Sequence, residues 1–415
     1  MSRSPKLLAA LSWMAAAFLC ASLFAHTVAL RLTLLMLGSA LAAVAVWRDR
    51  DELRFLPPIW LPFVLWAAWA WLSVVWSIEP ERTYKELRNE IVYAGLALWM
   101  CFVAAGAPKA ARILLPTLAA AAAGGMLIAM RDFALGWERY LAGLNGGPGD
   151  HSSALLTLMP CIAMAGWSTW RAGGPRWVQL AAALLGLLGF VGAYCTMNRT
   201  VWMGLAVESL LLGGMLALRA RAPSSWSKRT RLVSGFVAVA LSAGAVVALS
   251  AVQAKREVIG GKTLAKDTRL VLWPEIVERI RERPLTGYGF GRGLLRGPLQ
   301  TEFRDLDAML WHAHNIFLEQ LLQLGAPGLV LFLGLLAALV RQGWRAAAAT
   351  SDLQAACGIA LIAVVAGMLV RNMTDTLFVR QNALLFWGVA GILLAWGAPV
   401  YSGTQRRNHA CTTSG

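Results

Sequence analysis

Residues 314–340 read HNIFLEQLLQLGAPGLVLFLGLLAALV. From Leu329 to Val340 there is no charged or amide side chain. A run of about 20 apolar residues is long enough to cross a hydrocarbon core of about 30 Å at about 1.5 Å per residue. At the head of this run stand an imidazole, His314, and an amide, Asn315; eleven residues after His314 begins Gly325-Ala326-Pro327-Gly328, which loosens a helix. An ionisable group where a membrane helix meets solvent is a functional hypothesis by default.

Working outward, similar apolar segments recur at roughly 7–25, 28–47, 58–76, 91–106, 111–130, 152–170, 177–195, 200–218, 232–252, 353–370 and 382–400, twelve with the first. The chain has 415 residues, of which 58% are hydrophobic and only 14% charged, with a mean hydropathy of +0.58. A water-soluble chain of this length exposes far more charge. The expected fold is an all-α integral membrane protein of about twelve transmembrane helices. Many of the 19 tryptophans flank the apolar runs (Trp47, Trp60, Trp76, Trp137, Trp167, Trp170, Trp177), where amphipathic rings anchor a helix at headgroup level. Arg3 and Lys6 before the first run imitate a secretory signal, but a second run follows at once, so the first is read as a retained span.

The net charge of +16 is spread over short loops, and no basic stretch is interleaved with aromatics on a soluble domain, so nucleic acid is set aside as a partner. Loops holding Arg3 and Lys6, Arg48 and Arg50, Lys109 and Arg112, Arg171 and Arg176, Arg219 to Arg231, and Arg341 and Arg345 fall on one side, which the positive-inside rule assigns to the cytoplasm. Both termini then lie there, and segments 77–90, 131–151, 253–313 and 371–381 lie outside. The organisation is a bundle of nine spans over 1–252, an outer loop over 253–313, three spans over 314–400 and a tail over 401–415. Within the outer loop, Trp273, Ile276, Val277 and Ile280 recur at helical spacing, predicting an interfacial helix from about Thr268 that Pro284 and Gly287 end. Leu299, Phe303, Leu306 and Leu310 form a second stripe; these helices either cap the bundle or wall a site. The six cysteines are scattered without a Cys-x-x-Cys pair and give neither a disulfide framework nor a zinc site.

Several places could carry chemistry. Neutral imidazole accepts a proton near neutral pH, and a helix start favours the neutral form, which makes His314 the leading base, with His312 as its rival. Asn315 would orient the ring or bind a sugar hydroxyl. Gly325, Pro327 and Gly328 would bend the helix and leave backbone groups free to line a cavity. Arg199 stands at a helix end with almost no loop before it; it either snorkels to headgroups or faces a cavity and binds an anion. Arg269 opens the interfacial helix beside Asp267, either solvated or anion-binding. Gly287, Gly289, Gly291 and Gly293 form a turn or bring backbone near a ligand. Asp375, flanked by Arg371 and Arg380, could close the site. Asp305-Leu306-Asp307 suggests a metal pair, but one residue of the apolar stripe lies between its acids, so it reads as a solvated helix face. Gly261-Lys262-Thr263 lacks the first glycine of a phosphate loop.

The spacing His314-Asn315, nine residues, Gly325, two residues, Gly328 resembles the signature of the O-antigen ligase and polymerase family. Arg199, Arg269 and the long outer loop also look like that family's. The resemblance implies an inverting glycosyltransferase of the bacterial inner membrane with a periplasmic active site and no metal or other cofactor. It would move O-antigen from undecaprenyl pyrophosphate to lipid A–core oligosaccharide, with His314 as base, Arg199 and Arg269 on the pyrophosphate, and membrane lipids around it. An O-antigen polymerase and a protein O-oligosaccharyltransferase of the same superfamily are the alternatives. A lipid-linked glycan flippase, from another class, would place ionisable residues near the bilayer midplane in symmetrical halves.

Overall fold

A computed structural model describes residues 5–48, 55–107, 109–220, 268–296, 299, 312–376 and 378–398. Its helices are α1 (Pro5–Ala21), α2 (Val28–Arg48), α3 (Trp60–Leu72), α4 (Pro80–Glu86), a π-helical turn (Leu87–Val92), α5 (Tyr93–Ala105), α6 (Ala110–Ala134), α7 (Trp137–Leu141), α8 (Pro148–Arg171), α9 (Arg176–Cys195), α10 (Arg199–Ala220), α11 (Thr268–Glu282), α12 (Ile316–Ala347), α13 (Asp352–Asn372) and α14 (Arg380–Gly397). Among the described residues there is no strand. Among the described residues seven helical runs are long and apolar enough to cross a membrane, and shorter apolar helices accompany them. The protein is an all-α membrane protein.

Eleven of the twelve apolar segments fall on helices; 232–252 lies outside the described residues, as do the second stripe, Asp305-Leu306-Asp307 and Gly261-Lys262-Thr263. Segment 77–90 is not a loop. Helix runs without interruption from Pro80 to Ala105 because a π-helical turn joins α4 to α5, and Pro80 takes a first-turn position where its missing N–H costs nothing.

Burial divides the bundle. The α13 and α14 helices are buried along nearly their whole length, with α14 packed on α5 and α13 on α8, α10 and α12. Outer helices instead expose large aliphatic side chains: on α9, Leu180, Leu184 and Leu187 are 61%, 57% and 62% exposed. A stripe of that kind is unstable in water and natural against lipid.

The two ends of the bundle differ. At one, Arg171 and Arg219 share Asp352 at 3.0 and 3.1 Å, tying α8 and α10 to the start of α13. At the other, Asp150 at the start of α8 accepts from Gln381 Nε2 and Asn382 Nδ2, both at 2.7 Å, and Glu90 accepts from the backbone N–H of Arg380 at 2.8 Å. Two carboxylates thus hold the first turn of α14, where a helix dipole favours negative charge. His314 and Asp375 lie at this second end.

Candidate active site

The site is built at a break in α12. At Gly325 the helix leaves helical geometry (φ +67°, ψ −172°), and Pro327 supplies no N–H to mend it. The carbonyls released there are taken up by the loop that follows α11. Tyr288 and Gly289 donate their N–H groups to Leu322 and Gln323 at 2.9 and 3.0 Å, Ala326 donates back to Pro284 at 2.7 Å, and Trp69 Nε1 reaches Leu324 O at 2.9 Å. Trp76, expected only as an interface anchor, donates to Thr286 O at 2.8 Å. The bend is therefore real, but its backbone groups are not left free: the glycine-rich loop and the Trp69 indole take them up, while Trp76 fixes the loop itself. Gly325 and Gly328 serve close packing, since a Cβ on Gly325 would collide with the Leu285 backbone and one on Gly328 with Leu324. Gly289 has φ +104° and abuts Ser77, so this stretch is more than a turn: it is the seam that seats the loop.

Ahead of the break, Asn315 caps α12. Its Oδ1 accepts from the N–H groups of Phe317 and Leu318 at 2.9 and 3.1 Å, and its Nδ2 donates to Met373 O at 3.0 Å. The side chain is committed to the helix end and to the 373–379 connection, and does not orient the His314 ring. His314, one residue earlier, has φ +48°, a left-handed conformation that costs a non-glycine residue about 1–3 kcal/mol unless its surroundings hold it.

The histidine faces Asp375 from across the bundle. His314 Nδ1 lies 3.4 Å from Asp375 Oδ1, long for a hydrogen bond but within ion-pair reach; Arg371 Nη2 lies 3.1 Å from Asp375 Oδ2. Burial by itself would raise the Asp375 carboxyl, but His314 and the Arg371 guanidinium outweigh it and hold the group well below the usual carboxylate range. His312 stands beside His314, ring centroids 3.8 Å apart and planes 39° apart. Its Nδ1 accepts the backbone N–H of His314 at 3.1 Å, so the ring's proton sits on Nε2, 3.9 Å from Asp375 Oδ1. Burial, then the neighbouring His314 and Arg292, push the His312 imidazole down to about 2. A ring kept neutral and already accepting through Nδ1 is a poor proton acceptor, which separates His314 from its rival.

Three arginines surround this group. Arg371 is buried, with 2% of its side chain exposed. Arg269, in the first turn of α11, and Arg292, in the glycine-rich loop, both act electrostatically on His312, and Arg292 also interacts with Asp375, Glu319 and Glu90. Burial lowers the Arg292 guanidinium. Arg199 starts α10 at the same end of the bundle, where Gly204 meets Gly367 O of α13, but it is exposed, and among the described residues no ion pair joins it to His314 or Asp375. The structure thus brings His314, Asp375 and Arg269 near one another and leaves Arg199, expected beside Arg269 on the pyrophosphate, at the rim; sequence reasoning missed Arg292 and Glu319, and noticed Arg371 only as a flank of Asp375. The signal for Arg371 was its four-residue spacing to Asp375 just past the end of an apolar run.

His312, His314 and Asp375 also bring three ligand-type atoms within 4.8 Å of one another. A dication there would meet the Arg371 guanidinium paired to the same carboxylate, with Arg269 and Arg292 nearby, and would need His312 Nε2 stripped of its proton. The charge around the trio suits an anion better.

Residues 183–333 match the family model for O-antigen ligase. That match supports membership of the O-antigen ligase/polymerase superfamily. The matched stretch contains Arg199, Arg269, His314, Gly325 and Gly328, whereas Asp375 and Arg371 lie beyond it and join the site only through the fold. No curated protein matches the chain. The family indicates ligase- or polymerase-type activity and implies lipid-linked polysaccharide substrates in O-antigen processing.

Proposed function

We propose that this superfamily member is the ligase: a metal-independent, inverting glycosyltransferase that moves O-antigen polysaccharide from undecaprenyl pyrophosphate to lipid A–core oligosaccharide. The observation that carries the reading is the 3.4 Å approach of His314 Nδ1 to an Asp375 carboxylate that Arg371 holds ionised. Asp375 fixes the imidazole with its proton on Nδ1, and Nε2 is the nitrogen that takes the proton of the acceptor sugar hydroxyl. The deprotonating oxygen attacks the anomeric carbon opposite the pyrophosphate. As the C–O bond to the leaving group breaks, its electrons pass to a phosphate oxygen that guanidinium groups stabilise. Arg269 and Arg199 are assigned to the pyrophosphate, Arg269 within the cluster and Arg199 at its rim. Inversion needs no covalent enzyme intermediate.

This end of the bundle faces the periplasm in our reading, with both termini cytoplasmic and the bundle in the bacterial inner membrane. The loop-charge asymmetry supports that orientation, because Arg171, Arg219, Arg341 and Arg345 gather at the end away from His314.

Purified protein, supplied with undecaprenyl-pyrophosphate-linked O-antigen and lipid A–core, should join the two in the presence of EDTA. In a strain lacking the gene, lipid A–core should carry no O-antigen. Retention of a single repeat unit in that strain would make the protein a polymerase. Activity abolished by EDTA and restored by Mg²⁺ or Mn²⁺ would overturn the arginine mechanism.

A further inference from the structure

The peptide units between the two histidines are gripped from opposite sides. Ala313 donates its N–H to Glu319 Oε2 at 2.7 Å, and its carbonyl accepts from Trp273 Nε1 at 3.0 Å. Glu319 is itself fixed by Gln323 Nε2 on its other oxygen at 2.7 Å, and Ala313 is fully buried. Clamping one residue's N–H and C=O fixes both flanking peptide planes, and hence the direction in which the chain enters His314. The left-handed backbone of His314 persists only where neighbours over-determine it, and these two side chains are positioned to do so.

We propose that Trp273 and Glu319 are positioning residues: by holding the Ala313 peptide they set the direction in which His314 presents Nε2 to the acceptor hydroxyl. The proposal rests on the reading of His314 as the base. It also gives α11 a role beyond anchoring a cation. Arg269 and Trp273 are four residues apart and share a face of that helix, one acting on the charge at His312, the other bonded to the peptide that precedes His314.

Trp273→Phe keeps the ring and removes only the donor; Glu319→Gln keeps an acceptor oxygen that Glu319→Leu removes. Turnover in Trp273→Phe should fall about tenfold or more, the scale of a slightly misplaced group, with the donor KM within about twofold of the parent. Glu319→Gln should retain more turnover than Glu319→Leu. Adding Trp273→Phe to His314→Ala should cost nothing further, because both remove the same function. Independently of activity, histidine-selective ¹⁵N labelling should show the His314 ring signals, identified by their loss in His314→Ala, moved in Trp273→Phe and in Glu319→Gln. Additive losses in the double variant, or His314 signals unmoved in both single variants, would sink the clamp. An active His314→Ala would remove the base assignment instead, leaving the spectra to decide the clamp alone.

Discussion

At the scale of single residues, the site is an ion pair with a base on one side and cations on the other. Removing a general base costs about 10²–10⁴-fold in rate, so His314→Ala should lose transfer by that order while the protein still accumulates in the membrane. Asp375→Asn keeps the shape but no longer fixes the ring, and should lose most turnover too; near-normal transfer in either variant, with His312→Ala inactive, would reverse the roles of the histidines. Arg269→Ala and Arg199→Ala should raise the donor KM and lower turnover, with lysine a partial substitute because a point charge lacks the planar fork. Full activity at low donor concentration would take that arginine out of the site. Acidification should act through His312, which faces His314, Asp375, Arg292 and Arg269. Its folded value lies near 2 against 6.5 for the free side chain, so the unfolded chain takes the proton first as pH falls. The associated stability is whole above about pH 6.5 and drains at about 1.4 kcal/mol per pH unit below it. Asp375, held low, stays ionised throughout and adds nothing in that window. Thermal unfolding between pH 7.5 and 5 should therefore show a steeper decline in the parent than in His312→Asn, whose amide oxygen can still accept the His314 N–H; equal slopes would refute the assignment. Much of this was visible in the sequence, because an imidazole at the head of an apolar run is conspicuous. Asn315 misled because a cap and a ligand use the same amide, and Glu319 was hidden because its partner is a backbone N–H.

At the scale of elements, the apolar periodicity located the helices and α11 but not what mends the break in α12. Glycine and proline announce a bend; they do not say which distant N–H groups will answer it, since the donors are the backbone of Tyr288 and Gly289 and the Trp69 indole. The same blindness set 77–90 apart from the span that follows it: charged Glu81, Arg82, Lys85 and Glu86 interrupt the apolar pattern, yet the backbone continues through a π-helical turn. A paired substitution tests the account. Gly325→Ala combines a positive φ with collision against the Leu285 backbone and should prevent stable folding, whereas Gly334→Ala, which meets nothing within 4 Å, should be neutral or stabilising by up to about 1 kcal/mol. Detergent-solubilised yield and melting temperature distinguish the two. A well-folded Gly325→Ala would mean the break is dispensable.

At the scale of the whole molecule, the polar chemistry gathers at one end of an otherwise lipid-facing bundle. Glu138→Cys in α7 should react with an impermeant maleimide in cells with a permeabilised outer membrane, and Gly173→Cys after α8 should not; the reverse labelling would turn the protein over. The seam between residues 284–290 and α12 carries a consequence for biosynthesis. A loop amide normally exchanges its hydrogen quickly, but those of Tyr288 and Gly289 are bonded to helix carbonyls and should exchange as slowly as the interior of α12. Those carbonyls belong to residues that leave the ribosome after the loop has been made. The loop must therefore wait, its donors turned to water, until α12 enters the bilayer, while α12 cannot shed its own water at Leu322 and Gln323 until the loop arrives. Insertion of the span and closure of the active site are one event, and a chain that stops short of Gly325 has neither.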